Sequence, residues 1–330
     1  MFIMTKSVLA MMIGFLMAIA TAVILIPLLK KLKAGQTINK YLEKTHASKS
    51  GTPTMGGLIF IIPTIITIFI LFFMDKISFS YNLLIVIFTF IGYSLIGFID
   101  DYLIIKRHNN KGLTEGTKML MQIIIAIIFF YLFVKGGHEL LLWIHTLGIK
   151  LEIGWFYGLC ILFILVASSN AVNITDGLDG LAGGLSVIAV FTFGLISLNT
   201  GWLEGYKDIS LFCFILVGSL LGFLIFNVRP AKVFMGDTGS LSLGAILGTL
   251  AILTRHELLL VIIGIVFVIE TMTCIIQIFY YKLTHKRVFP MTPIHHTFEK
   301  MGWSESDIVK FFWVIGLLGS MIAITFGVWI

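Results

Sequence analysis

The chain has 330 residues, of which 58% are apolar and 12% are charged, with a net charge of +6 and a mean hydropathy of +1.03. A soluble domain carries roughly 25% charged residues, so a water-soluble globular fold is excluded, and the long unbroken apolar runs exclude a β-barrel. The three cysteines, Cys160, Cys213 and Cys274, each lie inside an apolar run with no CxxC partner, and read as small apolar residues without disulfide or metal meaning.

Taken in order, the apolar runs predict ten membrane-crossing helices near residues 7–29, 56–73, 81–99, 119–134, 154–170, 181–198, 209–226, 241–253, 258–281 and 308–329. The first is too long for a signal-peptide core, and its basic residues follow it, so it is expected to be retained. With that orientation, 17 of the 23 Lys and Arg residues fall at the cytoplasmic face and six at the other. This bias predicts an all-α polytopic membrane protein, one integral-membrane domain over 1–330, with both termini outside. The outer loop 135–152 contains LGIKLEIG, whose alternation predicts a small hairpin or surface helix.

The chemistry is expected in the inner loops. NAVNITDGLDGLAGG (170–184) packs Asn170, Asn173, Asp176, Asp179 and Thr175 between two apolar runs, with Asn173, Asp176 and Asp179 three residues apart. Such a cluster is costly in hydrocarbon unless it borders water and binds something; an inter-helix turn would need only one or two polar residues. GFIDDYL (97–103) sets Asp100 beside Asp101 at a helix end, where two carboxylates repel unless a cation lies near. NVRPAKVFMGDTGSLSLG (227–244) carries Asp237 in a glycine-flanked turn before a helix, a geometry that presents backbone N–H groups to phosphate. Asp237 or Ser240 as a helix cap is the structural alternative.

Three carboxylate-bearing loops at one face, with no Cys/His cage, suggest Mg²⁺. Nearby Lys49, Lys106, Arg107, Lys111, Lys118, Arg229 and Lys232 suit an anionic ligand arriving from the cytoplasm, although most of them also serve topology. In the last inner loop His295 and His296 can donate hydrogen bonds to phosphate or ribose. Glu270, in the ninth apolar run, is expected to face the bundle interior and pair with a partner that the sequence does not name.

Together KSGTPTMGG (49–57), GFIDDYL, NAVNITDGLDGLAGG, FMGDTGSLSLG (234–244) and PIHHTFE (293–299) resemble the phospho-N-acetylmuramoyl-pentapeptide-transferase family of the polyprenyl-phosphate N-acetylhexosamine-1-phosphate transferase superfamily. The motifs occur in the family's order, although Thr297 stands where the family often has a third histidine. The resemblance implies transfer of phospho-MurNAc-pentapeptide from UDP-MurNAc-pentapeptide to undecaprenyl phosphate, giving lipid I and UMP. That would be a step of peptidoglycan synthesis, and so of cell shape and division, in a bacterial plasma membrane. It implies Mg²⁺ held chiefly by Asp237, with Asp176 as a second ligand, and Asp100 and Asp101 near the acceptor phosphate. It places Asn173, Asp176, Gly177, Leu178 and Asp179 in the nucleotide site and Asn227 and Phe234 near the uracil. Lys49, Thr52, Lys118, His295 and His296 fall toward the diphosphate, ribose or sugar. A homodimer is implied, and no nucleic-acid partner. Single displacement and a covalent aspartyl intermediate both remain open, as do a GlcNAc-1-phosphate transferase, an ion-coupled transporter and a non-catalytic lipid-phosphate binder.

Overall fold

The computed structural model describes residues 2–32, 51–107, 112–144, 147–199 and 206–327. The elements in chain order are α1 (Phe2–Lys31), α2 (Leu58–Phe73), α3 (Tyr81–Arg107), α4 (Glu115–Lys135), β1 (Leu141–Ile144), β2 (Ile149–Glu152), α5 (Tyr157–Thr175), α6 (Leu181–Asn199) and α7 (Tyr206–Asn227). They continue with α8 (Gly236–Leu253), α9 (Leu259–Ile263), α10 (Ile265–Thr284), α11 (Ile294–Lys300) and α12 (Glu305–Gly327). Among the described residues nine helices are long and apolar enough to cross a membrane, and α2, 16 residues long, is a shorter apolar helix. The ten expected runs therefore all form helices, but only nine meet the spanning length.

The bundle is built around α8. Every residue of α8 except Asp237 is buried, which a helix surrounded by other helices requires. Its sequence, GDTGSLSLGAILGTLAIL, makes that possible. A Cβ at Gly244 would collide with the backbone of Ser168, so α5 packs backbone to backbone on that face. Two of its hydroxyls are satisfied within the helix: Ser242 Oγ donates to the Gly239 carbonyl at 2.7 Å and Thr249 Oγ1 to Ala245 at 2.8 Å. α8 lies between α3 and α5, and α7 is covered by α1, α2 and α6.

Two expectations shift at their edges. α3 runs to Arg107, well past residue 99, so Asp100 and Asp101 lie within the helix and not at its end. The ninth run is two helices, α9 and α10, broken at Gly264, whose backbone leaves the helical region at φ −95° and ψ 25°. The hairpin expected in the outer loop is present: β1 and β2 pair antiparallel, Leu141 opposite Glu152 and Ile144 opposite Ile149.

Candidate active site

The candidate site forms where the first turn of α8 meets α3, α4 and α5. Gly236 adopts φ +73°, and a Cβ there would lie 2.5 Å from Asp101 Oδ2 and 2.6 Å from Thr54 Oγ1, so only glycine fits. This turn aims Asp237 out of an otherwise buried helix. Gly97 of α3 does the complementary work. A Cβ at Gly97 would overlap the Asp237 carbonyl, so the missing side chain is what lets α8 begin against α3.

That contact divides the two adjacent aspartates. Asp101, 2% exposed, accepts hydrogen bonds from Asp237 N (3.2 Å), Thr238 N (3.0 Å) and Thr238 Oγ1 (2.6 Å). Its carboxylate caps the N-terminus of α8 from a neighbouring helix, where the helix dipole favours negative charge. Asp100 faces the other way. Its Oδ1 accepts from Leu113 N at 2.8 Å and lies 3.4 Å from Lys118 Nζ.

Lys118 projects from the first turns of α4, and its Nζ donates to Asp237 Oδ2 at 2.6 Å. The other oxygen, Asp237 Oδ1, accepts from Asn173 Nδ2 at 2.8 Å, and Asn173 also donates to Ser240 Oγ at 2.9 Å. Four helices thus contribute Asp100, Lys118, Asn173, Asp237 and Ser240 to one network. Lys118 and Asp237 side chains are 21% and 24% exposed against 6% for Asp100, so the network opens on the Lys118–Asp237 side.

Asp100 and Asp237 present oxygen donors to one shared cation position, which the Lys118 ammonium occupies. No group of three or more His, Cys, Asp or Glu residues that could hold a metal occurs among the described residues. A pair of carboxylates and no cage is the donor set that suits Mg²⁺, which keeps several waters and completes its shell with substrate phosphates. The residues fit that ion. Asp176 stands at the C-terminal cap of α5, one turn beyond Asn173.

The histidines reach the turn after α5. His295 is fully buried on α11, and its Nδ1 lies 3.1 Å from Glu270 Oε2 of α10, a hydrogen bond in which the ring N–H donates to the carboxylate. Glu270, also fully buried, therefore has the partner that the sequence did not name. Among the described residues His295 Nε2 has no hydrogen-bond partner, and it faces Gly177, where a Cβ would collide with it. His296 Nδ1 pairs with Glu299 Oε2 at 2.6 Å.

Several polar residues of the site loops act as struts. Asn227 is 2% exposed; its Oδ1 accepts from Gly180 N at 3.1 Å and its Nδ2 donates to Val233 O at 3.0 Å, joining two loops. Asp179 accepts from Ala231 N at 3.2 Å, and its own N–H donates to Glu305 Oε1 at 2.7 Å. Glu305 is in turn ion-paired with Arg229. Leu178 has its side chain in the apolar core. Phe234 is half-buried, and its N–H donates to Pro53 O at 2.8 Å while Gly56 N donates to its carbonyl at 2.8 Å. Half-buried Thr52 precedes that pairing, and Lys49 lies outside the described residues. Arg229, expected among the cations that suit an anionic ligand, pairs with Glu305, and neither Glu305 nor Ser240 is read as a ligand-binding residue from the sequence. Only Ser240, three residues after Asp237 on the same helix face, carried a readable signal.

Comparison with known proteins decides the family. Residues 83–255 match Glycosyl transferase family 4, and residues 49–61 match Phospho-N-acetylmuramoyl-pentapeptide-transferase signature 1. The chain is 46% identical over 324 residues to the phospho-N-acetylmuramoyl-pentapeptide-transferase of Geobacillus thermodenitrificans, covering 98% of each chain. It is 44% identical over 320 residues to that of Bacillus subtilis, covering 97% of each. The chain belongs to the phospho-N-acetylmuramoyl-pentapeptide-transferase family. The two matched regions meet at the site: residues 83–255 hold Asp100 through Asp237, and residues 49–61 hold the Pro53–Gly57 segment bonded to the loop before α8. The histidines of α11 lie beyond both regions, and the full-length relatives cover them.

Proposed function

We propose that the protein transfers phospho-MurNAc-pentapeptide from UDP-MurNAc-pentapeptide to undecaprenyl phosphate, forming lipid I and releasing UMP at the cytoplasmic face of a bacterial plasma membrane. The observation that carries this reading is the Lys118 ammonium held between Asp100 and Asp237 where α3, α4 and α8 meet. A cation already neutralises the two carboxylates, at a place open to solvent on one side. Family membership supports the reaction class, and the excess of Lys and Arg on the loops of this side supports the cytoplasmic assignment.

In this reading an oxygen of the acceptor phosphate attacks the donor phosphorus that bears the sugar. The bond from that phosphorus to the bridging oxygen breaks, and UMP departs with the oxygen. Mg²⁺, held by Asp237 with Asp100 alongside or with Asp176, would neutralise charge on the two donor phosphates. Asn173 fixes the rotamer of Asp237 by its 2.8 Å hydrogen bond. Lys118 turns its ammonium from the carboxylates to the incoming phosphates, an exchange that holds charge balance as substrate arrives. Asp101 keeps the first turn of α8 in place, and Asp100 orients the acceptor phosphate for a single displacement. His295 Nε2, buried and aimed at the Asp176–Gly177 turn, is available to a hydroxyl or phosphate oxygen of the donor.

The test is UMP release from UDP-MurNAc-pentapeptide by purified protein, with and without undecaprenyl phosphate and with magnesium chelated. Release should require both. Asp237→Asn should lose turnover by at least about a thousandfold while remaining folded in detergent, the scale expected when transition-state charge goes uncompensated. Near-normal lipid I synthesis by that variant would refute the assignment of Asp237.

A further inference from the structure

Asp100 lies under a short strap of backbone. α3 ends at Arg107 and α4 begins at Glu115, both exposed, and between them Gly112 and Leu113 cross over the Asp100 carboxylate. The approach is close. A Cβ at Gly112 would lie 2.5 Å from each of the two Asp100 oxygens, so a side chain there must lift the strap or turn the carboxylate away. The strap is tied at both ends and in the middle. Arg107 Nη1 donates to the Gly112 carbonyl at 3.1 Å, and Leu113 N donates to Asp100 Oδ1 at 2.8 Å. Thr114 Oγ1 accepts from Thr117 N at 3.2 Å, which joins the strap to the first turn of α4. The Leu113 side chain packs against the apolar core.

The cover is one-sided. Asp100 is 4% exposed, whereas the Lys118 and Asp237 side chains at the other end of the same network are 21% and 24% exposed. Phosphates of a soluble donor reach the network by that open end. A lipid acceptor comes from the membrane and brings its phosphate to Asp100 from within the bundle. Water is the nucleophile that would come to Asp100 from the loop side, and the strap stands in its way. Shutting water out of a site that holds a reactive donor prevents hydrolysis from competing with transfer.

We propose that the Gly112–Leu113 strap is what makes this site a transferase and not a hydrolase, by barring water from the place beside Asp100 that the acceptor phosphate takes. The proposal rests on the reaction and the role of Asp100 read above. With the strap lifted, a water oxygen bonds to the donor phosphorus that bears the sugar. The bond from that phosphorus to the bridging oxygen breaks, and UMP departs with that oxygen. The protons of the water pass to the phosphate products and the solvent, and the sugar is left as a soluble 1-phosphate.

The experiment incubates purified full-length protein in detergent with UDP-MurNAc-pentapeptide and undecaprenyl phosphate, and separates two products, lipid I and soluble phospho-MurNAc-pentapeptide. It compares wild type, Gly112→Ala and Leu113→Ala. Gly112→Ala forces the strap and the carboxylate apart, whereas Leu113→Ala removes the apolar anchor and puts nothing against Asp100. In both variants the ratio of soluble phospho-sugar to lipid I should rise at least about tenfold, the scale of one lost hydrogen bond to a charged group. Reactions run in ¹⁸O-water should carry the label into the soluble phospho-sugar and not into UMP. A merely structural defect lowers both products together and leaves their ratio alone. A ratio that stays at the wild-type value in both variants therefore overturns the proposal. A rise confined to Gly112→Ala also overturns it, because that variant displaces the Asp100 carboxylate directly. Absence of lipid I with wild type sinks the proposed reaction and the strap with it; lipid I from wild type with unchanged ratios in the variants sinks the strap alone.

Discussion

Glu270 and His295 are 25 residues apart in sequence and meet 3.1 Å apart with no exposure to solvent. A buried carboxylate next to an imidazole fixes which ring nitrogen carries the proton and how the ring is turned. Here it leaves Nε2 facing the Asp176–Gly177 turn. Glu270→Gln can keep a polar contact to Nδ1, whereas Glu270→Ala leaves His295 unpaired. We expect Glu270→Ala to lower kcat/KM for the donor by roughly ten- to a hundredfold, the value of a buried charged hydrogen bond. Glu270→Gln should recover part of that loss. Equal kinetics for both variants and wild type would remove His295 from the site.

Gly97 and Asp237 bring α3 and α8 together through a missing side chain. Gly97→Ala places a Cβ well inside 3.0 Å of the Asp237 carbonyl, and neither backbone can give. The first turn of α8 should move away from α3, loosening the three hydrogen bonds to Asp101. UMP release should fall at least about tenfold with helix content by circular dichroism unchanged, since misplacement of roughly 1 Å is costly at a reacting centre. Full activity in Gly97→Ala would show that this contact does not set the site.

Lys118 answers to two carboxylates in the free protein and, as proposed, to phosphate in the complex. Lys118→Gln should weaken donor binding and slow turnover together, by about a hundredfold in kcat/KM. Lys118→Arg should restore less than full activity, because a planar guanidinium does not reproduce a point charge between Asp100 and Asp237. Measuring the salt dependence of KM checks the charge argument: the dependence should flatten in Lys118→Gln.

Asp101 and Asp237 make opposite predictions despite being the same residue type. Asp101 receives three hydrogen bonds at the start of α8 and has little exposure left for a ligand. Asp101→Ala should lower the thermal midpoint in detergent together with activity, costing about 1–3 kcal/mol for the unsatisfied N–H groups. Asp237→Asn should lose activity with the midpoint held within a degree or two. A reversed pattern would exchange the two roles.

Much of the site was legible because polar residues are conspicuous in apolar sequence. Asp100, Asp237, Asn173 and Lys118 stood out for that reason, and the structure joins them in one network. Their division of labour was not legible. Asp100 and Asp101 are adjacent and chemically identical; only the helix turn between them, and the contact at Gly97, sends one to Lys118 and the other to the end of α8. Asn227 and Asp179 looked like ligand residues for the same reason as Asn173, but their side chains tie loops to loops. The helices were readable from apolar runs of spanning length. The break at Gly264 was not, because a single glycine inside an apolar helix is ordinary unless its packing is known.

At the other end of the bundle, Glu257 lies between α8 and α9, 6% exposed, and accepts a hydrogen bond from Tyr157. Burial pushes its carboxyl up to about 7, with the Tyr157 hydroxyl and the Arg255 charge opposing the shift. Arg255 is committed elsewhere, donating to the carbonyls of Leu141 at 3.2 Å and Glu139 at 2.7 Å. A carboxyl with a raised folded-state pKa holds its proton more tightly when folded. Its contribution favours the folded state at acid pH and is lost as pH rises from the unfolded value near 4.5 through about 7. His138 opposes this: burial and Arg255 hold its ring down at about 4, so its contribution is lost as pH falls from 6.5 toward 4. Between pH 6 and 8 the loss from Glu257 exceeds the remaining gain from His138, most of which is complete by 6.5, so the thermal midpoint of wild type should decline on balance. In Glu257→Gln, which keeps an acceptor for Tyr157, that decline should shrink. If the two proteins show parallel midpoints across this range, Glu257 is not the group that titrates.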